Sequence, residues 1–361
     1  MQPSLSDTAR PEASVIVPAR NEEASLSACL ESLIAQQGVT FEIIVVNDGS
    51  TDRTADIARS FAGVKLMEAG PLPEGWSGKS NAVLAGARQA QGEWLLFTDA
   101  DTVHLPGSLA GSLKEAKRHG VVMLSYSPDQ ELHGFAERAV MPVIFAELAS
   151  TYKPREVSDP SAPAAAANGQ YLLITRAAYD AVGGHAAIAT CLLEDVELAR
   201  AVKRSGRKIL FRYGGDAVRT RMYRSFTQLV EGWTKNLALL FRAPARLAIV
   251  RLLEFLAIVC GFAFAALVRS DLRLTLPAAM AAALIYLNFL RRIVKARAGA
   301  ASNTLAVFGL PIFSYLLLRS ALYYKWRRSV TWKGRLYSTD SRNLQSEKPP
   351  NVCTAGERWS T

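Results

Sequence analysis

Residues 41–52 read FEIIVVNDGSTD, and residues 93–102 read EWLLFTDADT. Each is an apolar run that ends in an acid. FEIIVV (41–46) shows no polar alternation, as in a strand buried on both faces. The second run, 93–98, ends at Asp99, and Asp48 stands at the tip of the first. Working outward, SVIVPA (14–19) is another β-rich run. Asn21-Glu22-Glu23 reads as a helix start, with Leu26, Leu30, Leu33 and Ile34 on one face and Gly38 as a stop. A helical pattern over about 52–60, a strand VKLME (64–68), a loop rich in Pro and Gly (70–78) and a helix over 79–90 complete the alternation. This order predicts an α/β fold, a mostly parallel sheet with flanking helices. Such sheets bind ligands beyond the carboxyl ends of their strands, which places Asp48 and Asp99 on the ligand-facing edge.

Further along, 106–119, 136–150 and 194–205 read as helices, the last with acids first and cations last, matching its dipole. Residues 153–168 (KPREVSDPSAPAAAAN) read as a loop. Three late apolar runs, 252–268, 272–290 and 304–324, each have the length of a transmembrane helix. The polar opening MQPSLSDTARPE predicts neither a signal peptide nor an N-terminal anchor. The expected layout is a disordered 1–12, a catalytic domain over 13–245, a membrane region over 246–325, and a basic then polar tail over 326–361.

The formal net charge is +10. Its placement decides its meaning. Arg242, Arg246, Arg251, Arg291, Arg292, Lys295, Arg297, Lys325, Arg327, Arg328, Lys333 and Arg335 crowd the late apolar segments. Cations there face anionic headgroups and set topology, so the charge points to a membrane and away from nucleic acid. The four cysteines, Cys29, Cys191, Cys260 and Cys353, form no zinc pair and no dense secreted framework, which suits a reducing compartment. Topology meets a conflict. Three crossings from a cytoplasmic catalytic domain put KWRRSVTWKGR (325–335) outside, where the positive-inside rule does not want it. Either one run is re-entrant, the third having Gly309 and Pro311, or the rule fails.

TDADT (98–102) carries the most chemistry. Asp99 and Asp101 just past a buried strand suit a hard divalent cation, Mg²⁺ or Mn²⁺, shared with substrate phosphates. A D-x-D triplet alone is also a common solvated loop; its place at a strand end favours the metal. Asp48 can accept hydrogen bonds from a base or a ribose, or serve as a turn former, and Asp52 is the better helix cap.

SVIVPARNEE, VVNDGSTD, GWSGKSNAV and FTDADT occur in that order, and together they resemble family 2 glycosyltransferases of the GT-A fold over about residues 13–240. The resemblance implies a nucleotide-sugar donor, UDP by preference, and inversion at the anomeric carbon. It places Pro18, Ala19, Glu22, Asp48 and Lys79 near the nucleotide, and Asp99 with Asp101 at the metal. It also implies a catalytic base in an E-D pair, here Glu194-Asp195 in LLEDVELA (192–199), with Asp195 the base. As a bare pair these acids also read as a favourable helix N-terminus.

Other residues have two readings each. Gly169 and Gln170 line an acceptor pocket or form a turn into the strand YLLIT. Arg219, Arg221 and Tyr223 contact the diphosphate from a loop or form a membrane-facing basic patch. His104 is a further metal-ligand candidate, and Trp76 and Trp233 stack on sugar or base, or anchor at the interface. The Q-x-x-R-W of processive polysaccharide synthases is not reproduced, which argues against polymer synthesis. GWSGK, RMY and WKGR are more similar to the hopanoid-associated and carotenoid glycosyltransferases, whose acceptors are membrane lipids. The expectation is thus an inverting, multi-pass enzyme of a bacterial-type inner membrane with its catalytic domain cytoplasmic. The competing readings are transfer to a polyprenyl phosphate and a catalytically silent membrane scaffold. A dinucleotide-dependent dehydrogenase is excluded, because the turn PARNEE lacks the glycines that pyrophosphate approach needs.

Overall fold

The computed structural model describes residues 10–327, 329–332 and 334–338. The expectations for residues 1–9, Arg328, Lys333, Cys353 and the polar tail from 339 fall outside the described residues. The chain forms two compact units. One holds the described residues up to Asp129 with Pro154–Thr220; the other holds Gln130–Lys153 with those from Arg221 on.

In chain order the elements begin β1 (Ala13–Ala19), α1 (Leu26–Ile34), β2 (Phe41–Asn47), α2 (Thr54–Ser60) and β3 (Val64–Glu68). Next come α3 (Gly78–Gln89), β4 (Trp94–Phe97), β5 (Thr102–His104), α4 (Ser108–His119), β6 (Met123–Ser127) and β7 (Asp129–Gln130). Then follow α5 (Phe135–Thr151), α6 (Pro154–Ser158), β8 (Leu172–Thr175), α7 (Arg176–Ala181), α8 (Glu194–Arg204), β9 (Ile209–Tyr213) and β10 (Val218–Thr220). The late helices are α9 (Phe226–Leu240), α10 (Pro244–Leu267), α11 (Leu272–Ile293), α12 (Ala300–Leu305) and α13 (Gly309–Leu322). A hairpin of β11 (Ser329–Trp332) and β12 (Arg335–Ser338) comes last.

The first unit is built on a sheet of order β3-β2-β1-β4-β8-β6-β9. The pairs β1–β2, β1–β4, β2–β3 and β6–β9 are parallel, while β8 runs antiparallel between β4 and β6. The continuous apolar runs of β1, β2 and β4 are buried because helices cover both faces. Helix α3 lies so close that a Cβ on Gly86 would meet Ile16 Cγ2 at 2.6 Å and Val46 Cγ2 at 2.9 Å. The sequence reading missed β6 and β9. Ser125 and Arg212 break their apolar pattern, and only the fold shows that Arg212 pairs with Glu115 at 2.9 Å and stacks over the Tyr126 ring. The stretch 153–168, read as a loop, opens with the helical turn α6.

The second unit is helical. Helix α5 and residues 221–240, expected within 13–245, pack here in one apolar core with the later helices. Three helical stretches, Pro244–Leu267, Leu272–Ala296 and Ala300–Arg327, are long and apolar enough to cross a membrane. The first begins at Pro244 rather than 252. Proline is well placed in a first turn, and Arg251 does not end the helix because it is paired. Arg251 Nε lies 2.9 Å from Glu147 Oε1 and its Nη1 3.0 Å from Glu254 Oε2; Arg292 reaches the same two acids at 3.4 and 2.8 Å.

Candidate functional site

The tips of β1 and β2 are stitched together first. Asp48 N–H donates to Ala19 O at 2.9 Å, and Arg20 donates to the carbonyls of Asp48 and Gly49 at 2.6 and 3.2 Å. Asn21 has φ 52 and accepts the Thr51 N–H at 2.9 Å. Glu22 N–H donates to Thr54 Oγ1 at 2.8 Å, and its carboxylate accepts the Ser25 hydroxyl at 2.8 Å. Asp52, one residue before the N-cap Arg53 of α2 and so not the cap that the sequence suggested, accepts the Thr54 N–H at 3.0 Å. Asp48 is buried at the strand tip. Pro18, Ala19, Glu22 and Asp48 thus share the carboxyl edge of the parallel strands, the edge that β4 also feeds.

The loop after β4 is held from below. Thr98 Oγ1 donates to Gln170 O at 2.8 Å and meets His104 Nε2 at 3.1 Å. Gln170 Nε2 donates to Thr220 Oγ1 at 3.2 Å, and that hydroxyl donates to Asp101 O at 3.2 Å. Gln170 is 4% exposed and acts as a strut that grips the Asp99–Asp101 loop on two sides. His104 is buried behind the same loop, and burial holds its pKa down to about 3. Its ring faces Thr98 and Tyr171, which corrects the reading of His104 as a metal-ligand candidate. Cys29, which no sequence signal singled out, lies under the loop with its thiol 3.8 Å from Asp99 O. Burial, then the charges of Asp101, Asp99 and Glu22, push that thiol far above its ordinary range.

The chemistry converges on Lys79. Helix α3 starts at Gly78, with Ser77 as its cap accepting the Ser80 N–H at 3.0 Å. One residue on, the Lys79 ammonium lies 2.7 Å from Asp99 Oδ1 and 3.0 Å from Glu194 Oε1. Burial alone lowers an ammonium pKa, but Asp99, Glu194 and Asp195 outweigh it and hold Lys79 well above its usual value. Asp195 Oδ2 accepts the Gly169 N–H at 2.9 Å, and Oδ1 accepts the Val196 N–H at 2.8 Å. Burial and then the Glu194 charge push Asp195 up to about 6, against the opposite pull of Lys79 and the two N–H groups. Gly169 is where the parts meet: a Cβ there would stand 2.7 Å from Lys79 Nζ and 3.7 Å from both Asp195 Oδ2 and Glu194 Oε1. The sequence reading placed Lys79 near the nucleotide and Glu194 in the E-D pair of the catalytic base; the fold joins both to Asp99 in one ion triad.

Some predicted residues lie elsewhere. Arg221 belongs to the second unit, where it pairs with Glu137 at 3.2 Å. Trp233 and Tyr223 are buried in that unit's core, with Trp233 Nε1 donating to Met141 Sδ at 3.3 Å, so Trp233 does not stack on a sugar. Arg219 is exposed on β10, and Trp76 is half-buried at the end of the Pro-Gly loop. Among the described residues no group of three or more His, Cys, Asp or Glu side chains could by itself hold a metal ion.

Residues 14–172 match the family model described as Glycosyl transferase family 2. A 4,4'-diaponeurosporenoate glycosyltransferase of Staphylococcus aureus (strain USA300) is 32% identical over 232 residues, covering 62% of this chain and 60% of the relative. Its counterpart in strain MRSA252 is 31% identical over the same length. The chain spans 60% of the length of these curated relatives. Among solved structures, the mannosyltransferase PcManGT from Pyrobaculum calidifontis, in complex with GDP-Man and Mn2+, superposes with a TM-score of 0.51 at 17% identity over 89% of each chain. That likeness is one of fold.

Proposed function

We propose, from the match of residues 14–172 to the glycosyl transferase family 2 model, that this protein moves a sugar, with inversion, from a nucleotide-sugar donor to a lipid acceptor at a membrane. The observation that carries the reading is the Asp99–Lys79–Glu194 triad with Asp195 beside it, at the carboxyl edge of the sheet. Asp48 and the β1 tip receive the nucleotide. Asp195 takes the proton of the attacking acceptor hydroxyl; a carboxylate poised near pH 6 is ionised at neutral pH yet basic enough to help. The Lys79 ammonium sits where negative charge gathers on the leaving diphosphate.

A divalent ion, Mg²⁺ or Mn²⁺, completes the donor site. The donor set fits it: two carboxylates of one loop, with the diphosphate supplying further oxygens, are what such hard ions take. Lys79 already neutralises Asp99, so Asp101 is the principal ligand and Asp99 the second. When bound, the ion offsets charge on the leaving group. The mannosyltransferase of like fold was crystallised with Mn2+ and GDP-Man, which supports metal use.

The acceptor is a lipid of hopanoid or carotenoid type. Support comes from the relative named for 4,4'-diaponeurosporenoate and from the three helices long and apolar enough to cross a membrane. We place the protein in a bacterial-type inner membrane, multi-pass, with the catalytic unit cytoplasmic. The deciding experiment measures binding and slow hydrolysis of a panel of nucleotide sugars by protein in detergent, with Mn²⁺, Mg²⁺ or chelator. One sugar nucleotide should act only with metal, and Asp101→Ala should abolish this. Folded protein that binds no nucleotide sugar under any metal condition overturns the reading in favour of a silent scaffold.

A further inference from the structure

The three apolar helical stretches do not share one environment. In the stretches led by α10 and α11, 11% of the most apolar window is buried inside the protein; in the stretch containing α13, half is. Helices α10 and α11 form an antiparallel hairpin: Arg292 reaches Glu254 at 2.8 Å, and a Cβ on Gly261 would touch Ala282 Cβ at 2.9 Å. Their outward faces expose Leu253, Leu256, Leu267, Leu276, Met280 and Leu284. With 24 and 22 residues they extend about 36 and 33 Å, enough for a hydrocarbon core of about 30 Å.

Helix α13 is tied at both ends to elements on the entry side of that hairpin. Its first residue, Gly309, lies so close to α5 that a Cβ would overlap the Ala139 carbonyl at 1.9 Å. The same α5 holds Arg251, near the start of α10, through Glu147. At the other end Ser320 Oγ donates to Thr234 O at 2.7 Å and accepts the Ala238 N–H at 2.9 Å. Arg319 donates to Thr234 Oγ1 at 3.1 Å, and just past the helix Tyr324 OH donates to Lys235 O at 2.7 Å. All these partners are on α9, which precedes α10 in the chain and carries Glu231 and Lys235, residues unsuited to hydrocarbon. A helix whose two ends both touch near-side elements does not reach the far side.

The charges agree. Exposed Arg242, Arg246, Arg291, Lys295 and Arg297 flank the end where α10 begins and α11 finishes, whereas the other end has Arg269 and Arg273 beside Asp271. By the positive-inside rule the richer end faces the cytoplasm.

We propose that this chain crosses the bilayer twice, through the α10–α11 hairpin alone among its described helices, and that α13 lies on the near side, packed against α5, α9 and the side of α10 that carries Ala248 and Ile258. The end of α13 then returns to the side from which α10 enters, and the cations Lys325 and Arg327 meet cytoplasmic anionic headgroups. This rests on the membrane reading above and answers the conflict that three crossings posed for the basic segment after α13.

The test uses the full chain with an epitope tag at each terminus, in inverted and right-side-out membrane vesicles treated with protease. In parallel, Arg269→Cys and the parent protein are labelled with a membrane-impermeant maleimide. Both tags should be cleaved from the same side, in inverted vesicles, and position 269 should be labelled only from the opposite side. Tags cleaved from opposite sides overturn the two-crossing topology, and so does labelling at 269 from the tag side. Release of the protein by an alkaline carbonate wash instead overturns the membrane reading itself, so the two failures are distinguishable.

Discussion

The Lys79 ammonium stands 3.0 Å from the Glu194 carboxylate while its other contact, at 2.7 Å, is Asp99. One cation therefore links the acid that follows the donor-side strand to the acid that precedes the proposed base. Each of the following outcomes tests a part of that arrangement.

Asp195 titrates at about 6, and a general base works only when ionised. Transfer should therefore rise with pH through an apparent pKa near that value and level off above it; one unit below, roughly a tenth of the enzyme is competent. Asp195→Asn should lower kcat by roughly 10²- to 10⁴-fold and leave donor binding intact. A variant that keeps full activity toward the lipid acceptor points instead to an acceptor already ionised, such as a polyprenyl phosphate.

Lys79→Met removes a group that lowers the Asp195 pKa. The acid limb of the pH profile should move to higher pH, and the limiting kcat should fall by roughly 10²-fold, as when one charged stabiliser of a transition state is removed. A profile that falls in height without moving along the pH axis removes Lys79 from contact with the base.

Gly169→Ala adds a methyl 2.7 Å from Lys79 Nζ. The clash is with the tip of a flexible side chain, so the fold tolerates it and the melting temperature should shift little. Activity should fall about tenfold or more, because a misplacement on the order of 1 Å in a catalytic group is costly. Wild-type turnover would place the ammonium elsewhere in the working enzyme.

In the second unit Glu254→Gln leaves Arg251 and Arg292 with Glu147 as their remaining acid in the cluster. An uncompensated buried charge costs about 3–5 kcal/mol, visible as an earlier thermal transition in detergent. Adding Arg292→Gln restores neutrality and should recover part of the loss, a coupling that a double-mutant cycle measures. Equal stability of the single variant and wild type would show that water screens the cluster.

Much of the fold was legible because its signals are local. FEIIVV and EWLLF are strands by composition, and the observed β2 and β4 match them within a residue or two. The acids at their tips follow from the same run. Helix α8 was readable from its charge order, since acids at one end and cations at the other stabilise a helix whatever it packs on. The strands β6 and β9 were not, because Ser125 and Arg212 are accommodated there by partners far along the chain, Asn168 and Glu115.

The sequence alone determined which residues carry charge and which runs are apolar, and through these the order of elements, the acid at each strand tip and the three stretches long enough for a bilayer. What it left open depends on distance in space. That Lys79 bridges Asp99 and Glu194, and that Gln170 braces the loop after β4, follow from contacts between segments far apart in the chain. The same holds for α13. Its composition is that of a spanning helix, yet its hydroxyl and guanidinium groups bond the backbone and side chain of α9. An apolar run states only that a segment avoids water; the neighbours that the fold supplies decide whether lipid or protein takes water's place.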